Sequence, residues 1–221
     1  MHQPYNVETF GIFRNIMLEG DFTGKVALSA VMAKHPSTGV GAVADARGEV
    51  TVYGGKLIVS YGKAGAAQQA DRDCAALMIT ASAGEWQPVA VERNVAPADI
   101  ESFIAAAAKA HGLDADRSFP YELTGAIISY VMHVNAAPTG GPHGMGRPMA
   151  VTVESKGDEI AGSVAGLYVA ADLVGIATHG GERTHSHFVA ADGASTAHLD
   201  RWGIKAGSVL MLPKPARAAK R

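Results

Sequence analysis

The 221-residue chain has 48% hydrophobic and 18% charged residues, a composition that is typical of a packed globular protein and excludes a mainly disordered chain. The formal net charge is −2, and lysine and arginine are scattered apart from the tail KPARAAKR, so a nucleic-acid partner is not expected. Cys74 is the only cysteine, and no apolar run is long enough for a signal peptide or a membrane span, so the sequence predicts a cytoplasmic protein without disulfides or a membrane partner.

The first half of the chain mixes helix and strand patterns. The stretch DFTGKVALSAVMAKHP predicts a short helix with Thr23 as its cap and the following proline as its end. The runs EVTVY and KLIVSY, which meet around Gly54 and Gly55, predict a β-hairpin. CAALMITASA predicts a buried strand, and APADIESFIAAAAKAHGL predicts the clearest helix, which Asp99 caps and Gly112 ends.

The second half turns almost wholly to strand. Its strand-like runs are TGAIISYVMHVN, MAVTVES, IAGSVAGLYV and SVLMLP, with glycine, proline and aspartate between them. We therefore predict an α+β protein in which residues 7–213 form a single domain. Within it, residues 7–118 form a mixed or antiparallel sheet with helices, residues 119–213 form a mainly β, barrel-like half, and residues 214–221 are a solvated basic tail.

Three histidines lie close together in the stretch THSHFVAADGASTAHLD. His185 and His187 point to the same face of an extended strand, because side chains alternate along it. Ten residues separate His187 from His198, which is enough for a turn and a return on a neighbouring strand. Three converging imidazoles form an open tripod of the kind found in catalytic metal sites, and they suit Zn²⁺, with Fe, Ni, Co or Mn as alternatives. The competing interpretation is three solvent-facing loop residues, and nearby His179 is a weaker candidate ligand.

Two families use three histidines in this way. Cupins place a glutamate shortly after the H-x-H pair and the last histidine much further along, whereas here no glutamate follows His187. The spacing H-x-H-x10-H, with Phe188 after the second histidine and HLD at the third, instead resembles the stretch GYHxHF…GGHvLD of α-acetolactate decarboxylases. The segments GDFTGKVALSAVMAKHPSTGVGAVADARGEVTVYGGKLIV, TGAIISYV and IAGSVAGLYVAADLVGIATHGGERTHSHF also resemble that family, and the likeness covers most of residues 20–213 in order.

The resemblance implies a zinc-dependent decarboxylase that forms a homodimer. Its substrate would be acetolactate or a related 2-hydroxy-3-oxo acid, and its products an acetoin-type ketone and carbon dioxide. Decarboxylation leaves an electron pair, and a metal on the substrate oxygens stabilises the resulting enediolate as a Lewis acid. By resemblance, His185, His187 and His198 are the zinc ligands. Glu49 in ARGEVTVY matches the family's active-site acid, which would deliver a proton or hold a metal-bound water, although a hairpin-edge carboxylate in water is the alternative.

The chain departs from the family pattern where the substrate carboxylate should bind. The family arginine falls near Thr139, where this sequence has none, and Arg147 is the nearest replacement. His133 and His143 lie in the same segment and are alternatives as hydrogen-bond donors or cations. The family's second catalytic glutamate has no counterpart, because no acidic residue follows Asp200.

The residues next to the tripod differ as well. The family's GG before the third histidine is Thr196 and Ala197 here, and its GY before the first is Arg183 and Thr184. The metal tripod therefore matches the family better than its surroundings do. Three functions stay open: a decarboxylase of acetolactate or a related acid, an enzyme of the same fold with another metal-assisted reaction such as isomerisation or aldol cleavage, and a non-catalytic metal- or ligand-binding protein.

Overall fold

The structure is a computed structural model that describes residues 5–62, 73–136 and 151–215. Its strands form two six-stranded sheets, and every recorded pairing is antiparallel. The first sheet contains β1 (Glu8–Phe10), β2 (Val26–Ala27), β3 (Thr38–Val43), β4 (Gly48–Tyr53), β5 (Lys56–Tyr61) and β6 (Cys74–Ala81). The second contains β7 (Trp86–Ala90), β8 (Phe119–Ala136), β9 (Val151–Tyr168), β10 (Thr184–Ala190), β11 (Thr196–Ile204) and β12 (Val209–Pro213). With only three α-helices, α1 (Phe13–Glu19), α2 (Leu28–Met32) and α3 (Ile100–Ala110), the described chain confirms the α+β class.

The first sheet confirms two predicted elements. Its strand order is β1-β6-β3-β4-β5, with β2 also on β6, so the apolar strand β6 lies inside the sheet as predicted. Strands β4 and β5 form the predicted hairpin. Gly54 and Gly55 both have positive φ, 54° and 75°, which the two-residue turn of a tight hairpin requires.

The predicted helix after Thr23 was wrong in its start and length. Residues 26–27 instead pair with β6, and α2 begins only at Leu28. The Thr23 hydroxyl donates to Asp21 Oδ1 at 2.5 Å and caps no helix. Asp99 precedes α3 but makes no side-chain cap hydrogen bond, whereas Gly112 ends that helix in the left-handed region, with φ of 80°, as predicted.

The second sheet is built around two long strands. Strands β8 and β9 have 18 residues each and pair along their length, so the predicted runs MAVTVES and IAGSVAGLYV belong to one strand. Strand β11 pairs with both β10 and β8, which curls the sheet. The six strands still do not form one closed barrel in the described chain, because β12 and then β7 extend the sheet from β8 to a free edge at β7. Strand β7 thus belongs to the second sheet, although its residues fall in the predicted first half of the domain, residues 7–118.

Gly125 marks the point where β8 changes partner. Residues 122–124 pair with β12, and residues 127–133 pair with β11. Gly125 has φ of 140°, and a Cβ there would lie 2.4 Å from Ser208 Oγ, so only glycine fits. The change of partner turns the last part of β8 toward β11.

The two sheets pack against each other through a shared core. Val40, Leu77 and Ile79 of the first sheet are buried in one cluster with Ala165 and Leu167 of the second. This packing brings β4 over β8 and β11. The described helices include none that is long and apolar enough to cross a membrane. Of the predicted tail 214–221 the structure describes only residues 214–215.

Candidate metal centre

The three predicted histidines converge on one point in the second sheet. His187 lies directly opposite His198 in the β10–β11 pair, and His185 is two residues earlier on the same face. One ligand nitrogen from each ring lies within 4.8 Å of the other two. His185, His187 and His198 are only 4%, 0% and 6% exposed, so they are not the solvent-facing loop residues of the competing interpretation.

Each ring is in the charge state that a metal ligand needs. Burial lowers the pKa of His185 to about 4 and lowers the pKa values of His187 and His198 well below their usual range. All three imidazoles are therefore neutral near pH 7, and metal binding needs no further loss of charge. His185 donates Nδ1–H to the carbonyl oxygen of Ala177 at 2.8 Å, because a carbonyl only accepts. Its Nε2 thus carries the free lone pair.

One nitrogen–nitrogen distance in the cluster matches that expected around a tetrahedral ion. His187 Nε2 and His198 Nδ1 are 3.4 Å apart. Zinc–nitrogen bonds of about 2.0–2.1 Å at tetrahedral angles place ligand nitrogens about 3.3 Å from each other. Among the described residues this cluster consists of the three histidines alone, so a four-coordinate ion held by them would have one position left for a reactant. These residues could therefore hold a divalent transition metal ion with room for a reactant.

Glu49 lies beside the triad instead of in water. It is 2% exposed, and its Oε2 is 3.8 Å from His187 Nε2. Its Oε1 accepts hydrogen bonds from the side-chain amide of Asn135 at 2.6 Å and the backbone amide of Asn135 at 3.2 Å. Burial raises the pKa of Glu49 to about 8, although His133 and Asn135 partly offset the effect. The carboxyl group of Glu49 thus holds a proton near neutral pH when the triad carries no cation.

His133 and Asp200 complete the polar side of the site. His133 on β8 is the register partner of His198. Its Nδ1 lies 2.8 Å from Asp200 Oδ2, and its Nε2 lies 4.0 Å from Glu49 Oε1. Burial lowers the pKa of His133, but Asp200 and Glu49 outweigh that effect and raise it overall. The sequence indicated His133 only as one alternative to the missing arginine, and it did not indicate Asp200. The signal for Asp200 was its place two residues after His198, on the same face of the strand.

A cavity of about 190 Å³ opens over these groups. Its polar lining residues include His185, His198, Glu49, His133, Asn135 and Asp200, and its apolar lining residues include Phe13, Ile16, Met17, Phe22 and Leu77. Three of these five apolar residues, Phe13, Ile16 and Met17, belong to helix α1. The sequence did not predict this helix, because seven residues are too few to show a helical period.

The remaining predicted residues have different positions. His179 also borders the cavity and packs on Phe13, with ring centroids 4.2 Å apart, but it is not one of the clustered ligands. Arg147 and His143 lie outside the described residues. Within the part of the chain that the structure describes, neither arginine nor lysine lines the cavity.

Comparison with known proteins finds one family whose sequence model matches this chain, and solved structures with a similar fold. The model of the alpha-acetolactate decarboxylase family matches residues 10–214. The alpha-acetolactate decarboxylase from Bacillus subtilis strain 168 superposes with a TM-score of 0.73 at 15% identity, covering 95% of this chain and 86% of that one. A protein from Staphylococcus aureus, described as of unknown function and similar to alpha-acetolactate decarboxylase, gives 0.68 at 14% identity and covers 96% and 86%. No protein with a curated description matches the sequence.

Proposed function

The chain belongs to the alpha-acetolactate decarboxylase family, and on that premise we propose that it is a zinc-dependent carboxy-lyase for acetolactate or a related 2-hydroxy-3-oxo acid. The products are an acetoin-type ketone and carbon dioxide. The observation that carries the proposal is a buried cluster of three neutral histidines with the Glu49 carboxyl group 3.8 Å from His187. Two of these histidines, His185 and His198, line the same cavity as Glu49. Structural histidines alone would not need an acid beside them.

The side chains around the cavity divide the chemical tasks between them. When bound by His185, His187 and His198, the zinc ion supplies Lewis-acid stabilisation of negative charge on the substrate oxygens. Glu49 is the acid that delivers the proton to the carbon that has lost carbon dioxide, and its two hydrogen bonds from Asn135 hold it in place. His133, which Asp200 orients, takes the place of the family arginine as hydrogen-bonding partner of a substrate oxygen.

A second reaction of the same site is favoured by one observation. Among the described residues no arginine or lysine lines the cavity, so none of their side chains offers a guanidinium or ammonium group to a substrate carboxylate there. A 2-hydroxy ketone without a carboxylate fits such a cavity, and its isomerisation or aldol cleavage would use the same triad and the same acid. If Arg147 supplied a guanidinium group to the substrate carboxylate, the reason for preferring this second reaction would disappear.

Acetoin formation from racemic acetolactate tests the proposal directly. We expect the purified protein to contain about one zinc ion per chain, to form acetoin and carbon dioxide, and to lose that activity on chelation and regain it with added zinc. Bound zinc without any acetoin supports the isomerase or aldolase alternative. A wild-type protein that takes up no divalent metal contradicts both.

Removal of the His133 side chain tests its role in substrate binding. We expect His133→Ala to raise KM about tenfold, which corresponds to about 1.4 kcal/mol of lost binding, and to leave the zinc content unchanged. Steady-state kinetics with metal analysis provide the measurement. Asp200→Asn should shift KM in the same direction but less, because the ring remains and only its orientation is loosened. An unchanged KM in His133→Ala would rule out contact with the substrate.

The proposal includes the homodimer that the family resemblance implies. Leu18 is 77% exposed and Val153 is 53% exposed, and both are large apolar side chains available to a second copy. Light scattering on the purified protein distinguishes one chain of 22.8 kDa from a pair. A single chain at micromolar concentration would remove this part of the proposal.

A further inference from the structure

A chain of buried hydroxyl groups leads away from His187. Its Nδ1 lies 2.9 Å from the hydroxyl oxygen of Thr51 on β4, and that oxygen lies 2.6 Å from the hydroxyl oxygen of Thr196 on β11. The Thr196 hydroxyl in turn donates to the carbonyl oxygen of Phe188 at 2.8 Å. Thr51, Thr196 and His187 are 0%, 3% and 0% exposed, so bulk water does not supply alternative partners.

Counting protons along this chain fixes the direction of every hydrogen bond. The carbonyl of Phe188 has no proton and only accepts, so it takes the single hydroxyl proton of Thr196. Thr51 must then be the donor in its 2.6 Å contact with Thr196. Having given its only proton, Thr51 can only accept from His187. The ring nitrogen Nδ1 of His187 therefore carries the proton, and Nε2 does not.

We propose that Thr51 and Thr196 form a hydroxyl relay that fixes the tautomer of His187 and presents its unprotonated Nε2 to the metal. The inference rests on the proposed function, because it assigns positioning residues to that metal centre. His185 is fixed in the same tautomer by one hydrogen bond, which its Nδ1–H donates to the carbonyl oxygen of Ala177. Ligand histidines generally donate their second nitrogen to an acceptor in this way, which orients the ring and raises its basicity.

The relay works against a competing arrangement. Without it, no contact in this chain of hydroxyl groups would hold the proton on Nδ1, and a proton on Nε2 would face an oxygen of Glu49 3.8 Å away. That tautomer blocks the lone pair that a metal needs. Thr196 also stands where the resembling family pattern has glycine, which has no hydroxyl group. Its backbone amide is held by Ser60 Oγ at 2.7 Å, which fixes β11 against β5 at this point.

Valine and serine substitutions separate the hydroxyl group from the shape of the side chain. We expect Thr51→Val and Thr196→Val to weaken zinc binding about 10- to 100-fold, as the loss of outer hydrogen bonds to metal ligands does in general. Thr51→Ser and Thr196→Ser keep the hydroxyl and should remain within about threefold of wild type on the same scale. Competition with a chelator of known zinc affinity gives the constants. Thr38→Val is the matched control, because it removes a fully buried hydroxyl that bonds Glu122 and not the triad.

Nitrogen-15 NMR of the zinc-free protein reads the tautomer itself. We expect wild type and the serine variants to show His187 protonated at Nδ1, and the valine variants to show a proton on Nε2 or a mixture of tautomers. A wild-type His187 protonated at Nε2 overturns the relay, as does a valine variant with unchanged tautomer and unchanged zinc affinity. Equal losses in the serine and valine variants with a lowered unfolding midpoint also overturn it in favour of packing.

Zinc affinity and the tautomer of His187 test the relay without measuring decarboxylation, so a failure of the relay can be distinguished from a failure of the proposed reaction. If wild type binds zinc but does not decarboxylate acetolactate, the assigned reaction fails while the relay is still decided by zinc affinity. If wild type binds no zinc, the metal centre fails, and the relay fails with it as a device for presenting a ligand. The tautomer spectrum then reports only the hydrogen bonds.

Discussion

Replacement of Glu49 by glutamine is expected to lower kcat for decarboxylation about 10²- to 10⁴-fold, the range that a positioned acid contributes. Glutamine has nearly the same shape, and its carbonyl oxygen can still accept from Asn135, but it cannot give up a proton. The zinc content should stay at the wild-type level, because the three histidines are unchanged. Steady-state acetoin formation together with metal analysis gives both numbers.

Glu122 provides the matched control for that substitution. It is also a buried glutamate, 8% exposed, and burial raises its pKa as well. Its carboxylate, however, accepts from Thr38 and from the backbone of Gly54, away from the triad. We expect Glu122→Gln to change the free energy of unfolding but to leave kcat within about threefold of wild type. That change is far smaller than the one expected from the loss of a positioned acid. Activity of Glu49→Gln within that same margin would show that Glu49 is not the acid.

Replacement of His187 by alanine is expected to remove both the metal and the reaction. His187 is the fully buried member of the triad, and it contacts His198 and lies beside Glu49. Two remaining imidazoles make an incomplete site, so the bound zinc should fall below about one tenth of an ion per chain. Loss of the Lewis acid, at about 4 kcal/mol, lowers kcat/KM about 10³-fold or more. Metal analysis after gel filtration and acetoin assays at saturating zinc measure the two effects.

His111→Ala serves as the comparison for the loss of a histidine. His111 follows α3, where its ring bonds the carbonyl of Ala107 at the end of that helix and contacts none of the triad. We expect wild-type zinc content and activity in this variant. His185→Ala should repeat the result of His187→Ala, which guards against a folding defect of one substitution. Full zinc content and activity in both triad variants would end the assignment of a metal centre to these residues.

The convergence of the three histidines could be predicted from sequence because it depends on local geometry. The side chains of a strand alternate with a period of two, and one tight return brings the next strand alongside. The positions of His185, His187 and His198 within 14 residues therefore contain the information needed. Glu49 came only from the family resemblance, since a single acidic residue in a hairpin has no pattern of its own.

The other residues of the site depend on contacts between distant parts of the chain. Asn135 meets Glu49 across 86 positions, and Asp200 meets His133 across 67. Both contacts follow from the register of β8 and from its change of partner at Gly125, which no short stretch of sequence encodes. The apolar wall from α1 was missed for a different reason, because a seven-residue helix gives too little periodicity.

The imidazoles and the carboxyl group come from opposite sheets, so their assembly into one site depends on the association of the sheets. All three histidines belong to β10 and β11, whereas Glu49 and Thr51 belong to β4. A newly made chain that has formed only the β10–β11 hairpin already has every nitrogen needed to capture a cation, although such a hairpin is only marginally stable alone. It gains its acid, and the hydroxyl that orients its central ligand, when the sheets associate. We therefore expect ion capture to precede catalytic competence during folding.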